Sequence, residues 1–259
     1  MFALVLSLTA LAVVQAAQME ELDVVIPSPP IVSLYRFKNG PNDCTGVLIT
    51  PEYVLTAAGC VNNTKWAVIR SNDTVEHVEI NSGRAHREVA TTDVSTKYGL
   101  GVLHLRNTSK QTPAKLNFTT LIAGLEVWRK GFSHAYSLDD SSPPRISESS
   151  GHVIQSETCN DVSGSPNAAA IDSLVCISGP RPCNGDTGGP VTTVQDGQHV
   201  VVALTIWTNL ACTSSISGYA RLSTAREFIE PYLVPPLKDP QLTPMPSQAK
   251  CPMPRPSLT

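Results

Sequence analysis

Seven cysteines, six histidines and four N-x-Ser/Thr sequons are the residues of this sequence whose types and spacing could do chemistry. Thiolates can hold zinc or join as disulfides, and zinc ligands are commonly written as closely paired C-x-x-C steps. Cys44, Cys60, Cys159, Cys176, Cys183, Cys212 and Cys251 show no such pairing. Disulfides in an oxidising compartment are the expected use, with no metal and no other cofactor. The sequons begin at Asn62, Asn72, Asn107 and Asn117. One sequon can arise by chance, but four within 58 residues mark a glycosylated surface on the first half of the chain.

The elements that must position these residues are short strands. Val47-Leu48-Ile49, Trp66-Ala67-Val68-Ile69, Val102-Leu103-His104-Leu105 and Val200-Val201-Val202-Ala203-Leu204 are apolar, β-branched runs separated by turn residues. That pattern predicts an all-β antiparallel barrel or sandwich. Asp196-Gly197 between two such runs predicts a hairpin, because both residues tolerate positive φ. Thr224 to Leu233, with Ala225, Phe228 and Ile229 at helical spacing, predicts one helix.

Residues 1–16 read as an export signal: Phe2 to Val14 is almost wholly apolar, and Val14-Gln15-Ala16 offers small residues before Ala17. That run is too short to span a bilayer as a helix. A single domain is expected over 17–234. Eight of the 25 residues from Pro235 to Thr259 are proline, which predicts an extended, mobile tail able to dock a partner's aromatic groove in polyproline conformation. A net charge of −3 gives no general pull toward nucleic acid or an anionic membrane. An extracellular protein is the expected partner.

Three stretches resemble the trypsin-like serine protease family in order and spacing. Cys44-Thr45-Gly46-Val47-Leu48-Ile49-Thr50-Pro51-Glu52-Tyr53-Val54-Leu55-Thr56-Ala57-Ala58-Gly59-Cys60 is similar to C-G-G-S-L-I-S-P-E-W-V-L-T-A-A-H-C. Gly185-Asp186-Thr187-Gly188-Gly189-Pro190 is similar to G-D-S-G-G-P, and Ile206-Trp207-Thr208 followed by Cys212 is similar to the S-W-G wall of the specificity pocket. The resemblance implies two packed six-stranded antiparallel barrels with a C-terminal helix. It also implies the disulfides Cys44–Cys60, Cys159–Cys176 and Cys183–Cys212, leaving Cys251 over.

Acyl transfer on this fold needs a hydroxyl nucleophile, an imidazole base and a carboxylate that orients it. The resemblance puts the imidazole position at Gly59, the carboxylate position at Gly99 and the nucleophile position at Thr187. Threonine nucleophiles elsewhere rely on their own terminal amine, and Thr187 is internal. His77, His86, His104, His134, His152 and His199 do not fall at the matching position, although His86 could lie in a loop near the cleft. The amides near Gly185, Asp186 and Thr187 would be the remnant of an oxyanion hole. Asp23-Val24-Val25-Ile26-Pro27 lacks the basic residue and glycine pair of an activation site, so Asp186 is expected to lack the terminal ammonium that the family supplies. The resemblance puts Arg181 at the pocket floor. Thr208 and Ser217 fall where glycines are usual, with Gly218 leaving a one-residue slip open. A narrowed or filled pocket follows.

Loss of all three reacting groups implies a secreted pseudoprotease that binds another extracellular protein. With export and glycosylation, the chain is similar in character to the glucanase inhibitor proteins of oomycete pathogens, inactive trypsin relatives that block host endo-β-1,3-glucanases. A secreted glycoside hydrolase is therefore the expected partner. The alternatives are a non-catalytic cofactor of an extracellular protease cascade and a residually active endopeptidase.

Overall fold

The computed structural model describes residues 28–38, 40–71, 74–86, 99–132, 146–155, 173–179, 182, 185–206 and 216–234. The proposed leader, the tail from Pro235, and Arg181, Trp207, Thr208, Asn72, His134, Cys159, Cys183, Cys212 and Cys251 lie outside them. Six strands close the first barrel: β1 (Ile31–Tyr35), β2 (Cys44–Leu48), β3 (Tyr53–Ala57), β4 (Trp66–Ser71), β5 (Thr74–Ala85) and β6 (Leu100–Leu105). Their order around it is β1-β2-β3-β6-β5-β4, antiparallel throughout. A one-turn helix, α1 (Ala58–Val61), follows β3, and a two-residue strand, β7 (Lys115–Leu116), follows β6.

The second barrel uses β8 (Glu126–Gly131), β9 (Ser147–Ile154), β10 (Leu174–Ser178), β11 (Pro190–Gln195), β12 (Gln198–Thr205) and β13 (Ile216–Arg221). These run in the order β11-β8-β9-β10-β13-β12, and pairing of β11 with β12 closes the ring. β7 adds to β12 in parallel. Two six-stranded antiparallel barrels are thus what the motif resemblance led one to expect.

Why the apolar runs are continuous becomes clear from where their neighbours go. Successive side chains of a strand face opposite ways. Leu48, Val54 and Leu103 fill the first barrel, while the adjacent Val47, Leu55 and Val102 face the other barrel. There they meet Val201, Leu204, Ala220 and Ile229 in a shared cluster that joins the two halves. The second barrel is filled separately by Val127, Val153, Val175, Ile177, Val191 and Val202. Burying such side chains contributes roughly 1.5–3 kcal/mol each.

The β11–β12 hairpin turns at Asp196 (φ 50°) and Gly197 (φ 69°), pairing Gln195 with Gln198. The expected C-terminal helix is three short pieces. A 3-10 turn at Ser223–Ala225 leads into α2 (Arg226–Ile229), and a second 3-10 turn follows at Glu230–Tyr232. Pro231 lacks an N–H and its ring crowds the carbonyl one turn back, so the α-hydrogen-bond ladder cannot continue past α2. Among the described residues no helix is long and apolar enough to cross a membrane.

Candidate functional site

The described parts of the motif segments, residues 44–60, residues 185–190 and Ile206, converge on the seam between the barrels. Strand β3 runs straight into α1, whose Ala58 N–H donates to the Gly99 carbonyl at 2.7 Å, just ahead of β6. The Cys44–Cys60 disulfide ties the start of β2 to α1. Thr45 N–H donates to the Thr187 carbonyl at 2.7 Å, and the Cys60 Sγ lies 3.8 Å from that same oxygen. Gly59, Gly99 and Thr187 are therefore set around one place by backbone hydrogen bonds and a cross-link.

What stands at those positions decides the chemistry available. Gly59 is exposed on α1, and a Cβ there would meet nothing within 4 Å. Gly99 is buried, and a Cβ would lie 3.1–3.3 Å from three atoms of the Ile206 side chain. Ile206 packs in turn against the cluster shared by the two barrels. The space beside Gly99 is thus aliphatic, an extension of the inter-barrel core. Thr187 is half-buried.

The loop that carries Thr187 is held from both barrels. Gly188 N–H donates to Thr205 O at 2.6 Å, and Gly189 N–H to Asp186 O at 2.8 Å. Gly188 has φ 88°, and a Cβ there would lie 2.1 Å from the Thr45 carbonyl oxygen, so only glycine fits this crossing. From the first barrel, the buried Thr45 hydroxyl donates to the Gly185 carbonyl at 2.5 Å. It also accepts from Phe132 N–H at 3.4 Å. The sequence reading gave Thr45 no role, although a threonine where the similar motif has glycine was the available signal.

Asp186 is buried, with its carboxylate against the backbone at Gly131. Arg129 and Lys130 line the same small cavity, of about 20 Å³. Lys130 donates to Ser28 and pairs with Glu148 at 3.1 Å, while Arg129 donates to Ser149 at 2.5 Å. Two buried cations beside this loop were not foreseen, because Trp128-Arg129-Lys130 reads as an ordinary polar strand end.

The model of the family described as trypsin matches residues 24–229. The chain belongs to the trypsin family. Its relatives include glucanase inhibitor protein 3 of Phytophthora infestans, 26% identical over 208 residues that cover 74% of this chain and 78% of the relative. A serine protease of Anopheles gambiae is 30% identical over 193 residues, covering 70% of this chain and 68% of that protein. Among solved structures, neuropsin, a serine protease of mouse brain, superposes with a TM-score of 0.65 at 19% identity. That match covers 80% of this chain and 95% of neuropsin, and it supports the fold.

Within this trypsin-family chain the described histidines lie as follows. His86 donates its backbone N–H to Leu100 O at 3.0 Å and sets its ring edge-on to Phe228 of α2 at 4.9 Å. His104 stacks on Tyr53 at 4.9 Å. His77 and His152 are exposed on β5 and β9. His199 Nδ1 lies 3.0 Å from the Thr192 hydroxyl, with its ring edge-on to Trp128. Burial lowers its pKa below 6.5, the Lys130 ammonium pushes the same way, and Glu148 opposes.

Of the remaining expected site residues, Ser217 pairs with Ile177 in β13, and Cys176 is disulfide-bonded. Asn62 and Asn107 are exposed, open to a glycan. Asn117 is half-buried, and its amide nitrogen, the atom a glycan would take, donates to Gln195 at 2.7 Å.

Proposed function

We propose that this chain is a secreted, non-catalytic trypsin-family protein that binds and inhibits an extracellular glycoside hydrolase, a β-1,3-glucanase being the first candidate. The observation that carries the reading is the aliphatic filling at Gly99. A lost aspartate could leave a vacant polar site, but here Ile206 occupies the neighbouring space and is packed into the inter-barrel cluster. Gly59 supplies no imidazole on the open side of α1, so the base that the similar motif carries is missing there. In a triad enzyme, removing the full set costs about a millionfold in turnover, equivalent to roughly 8 kcal/mol of transition-state stabilisation.

Similarity to the Phytophthora glucanase inhibitor supports the choice of target class. Fold alone would not, since this scaffold hosts many roles. The test has two arms on the purified mature chain. A fluorophosphonate probe should leave Thr187 unlabelled, and secreted β-1,3-glucanases should lose hydrolysis of laminarin when the chain is added. Stoichiometric labelling at Thr187 would remove the non-catalytic reading. Failure to bind or inhibit any glucanase of a secreted panel would remove the target class and leave the non-catalytic reading standing.

A further inference from the structure

Helix α1 turns one small face outward. Ala58, Cys60 and Val61 are buried, which leaves Gly59 and the capping residue Asn62 exposed. Asn62 keeps right-handed helical dihedrals (φ −73°, ψ −23°), so it lies three residues after Gly59 on the same helical face. Helical side chains lean back toward the N-terminus and cover the turn before their own Cα. For Asn62 that turn carries Gly59, which has no side chain and would have open space around a Cβ. A group attached to the Asn62 amide therefore starts over the patch that Gly59 leaves uncovered.

Asn62 also opens the sequon Asn62-Asn63-Thr64. Asn63 is exposed, while Thr64 is buried with its hydroxyl donating to the Cys60 carbonyl at 2.6 Å. Cys60 is cross-linked in turn to Cys44, so the sequon sits on an anchored turn and Asn62 keeps its place beside the seam. We infer that Asn62 carries an N-linked glycan whose first sugars roof the seam at Gly59 and close that side of it to macromolecules. The transfer joins the Asn62 amide nitrogen to the anomeric carbon of an oligosaccharide. It breaks that carbon's bond to the pyrophosphate of a lipid-linked donor, and the amide proton leaves with the pyrophosphate. The inference rests on the secreted reading above, because such a donor is met on the export route. A glycan is bulky and well hydrated, so it shuts out large molecules and lets small ones pass.

The test uses the full chain with its own leader, produced in a eukaryotic cell line, with sequon occupancy mapped by enzymatic deglycosylation and mass spectrometry. Asn62 should be occupied. Gly59→Lys, which the open space accommodates, then reports on access. An amine reagent carried on a long polymer should label position 59 several-fold more slowly than in the Gly59→Lys, Asn62→Gln double variant. A small amine reagent should label both alike, which separates a steric roof from a change in the fold. Asn62 unmodified in the secreted chain would overturn the inference and leave secretion standing, as would equal labelling by the polymer reagent. A chain retained inside the cell with its sequons empty would overturn both.

Discussion

Residue by residue, the seam around Gly99 carries side chains that suit packing. An aspartate at position 99 would begin with a Cβ 3.1–3.3 Å from Ile206, tighter than most real contacts, and would then aim a carboxylate at aliphatic carbon. Overpacking costs about 1–3 kcal/mol, and an unpaired buried charge adds to it. Gly99→Asp alone should therefore lower the urea midpoint, and Ile206→Ser added to it should recover part of the loss. Equal stability of Gly99→Asp and the parent would show the space is open. The Thr45 hydroxyl carries a comparable load on the other side. In Thr45→Val the Gly185 carbonyl and Phe132 amide lose that partner, at about 1–3 kcal/mol, again read from urea unfolding. His199 contributes a pH dependence of defined sign. Its folded pKa lies below 6.5, so the unfolded chain takes up the proton first as pH falls. Stability should be full above about pH 6.5 and decline below it toward the folded pKa, and His199→Gln should flatten that decline.

At the level of elements, the cross-link between β2 and α1 is the device that brings Gly59 to the seam. Its closed loop, with a sequence separation of 16, should contribute about 3 kcal/mol, so replacing Cys44 and Cys60 by Ala should cost that much in calorimetric or urea unfolding. An unchanged midpoint would mean the hydrogen bonds from Ala58 and Thr45 suffice. Which elements could be read from the sequence follows from how many of their faces are buried. β6 and β12 were legible because both faces are apolar. β5 was not, since in Thr74–Ala85 only Val78 and Ile80 are fully buried and a bulge between Ile80 and Ser82 breaks the alternation. β9 is similarly polar, with only Gly151 and Val153 buried. The Asp196-Gly197 hairpin was legible because its chemistry is local. The splitting of the C-terminal helix was written in Pro231, yet the apolar spacing around it pointed the other way.

For the whole molecule, the motifs single out Gly59, Gly99 and Thr187 but not what surrounds them. Ile206 reaches Gly99 from beyond the end of β12, in the other barrel, and no spacing along the chain announces that contact. The same holds for Arg129 and Lys130, which flank the Asp186 loop from β8, the strand paired with β11. These surroundings bear on what it would take to restore a protease. Gly59→His has open space, Thr187→Ser removes only a methyl, and Gly99→Asp starts in tight contact with Ile206, its Cβ at 3.1–3.3 Å. The triple variant should therefore remain inactive on peptide esters, because its imidazole would lack a carboxylate in the orienting geometry that the reaction requires. Adding Ile206→Ser opens that space and gives the carboxylate a hydroxyl partner, so any recovered hydrolysis should first emerge in the quadruple variant. Robust turnover by the triple variant would show that Ile206 yields easily and that only the reacting groups were lost. Binding of the partner reports on the cleft independently: if affinity is unchanged in folded variants that restore these side chains, the partner is held by an outer surface. If affinity falls with them, the partner enters the cleft where substrate would have lain.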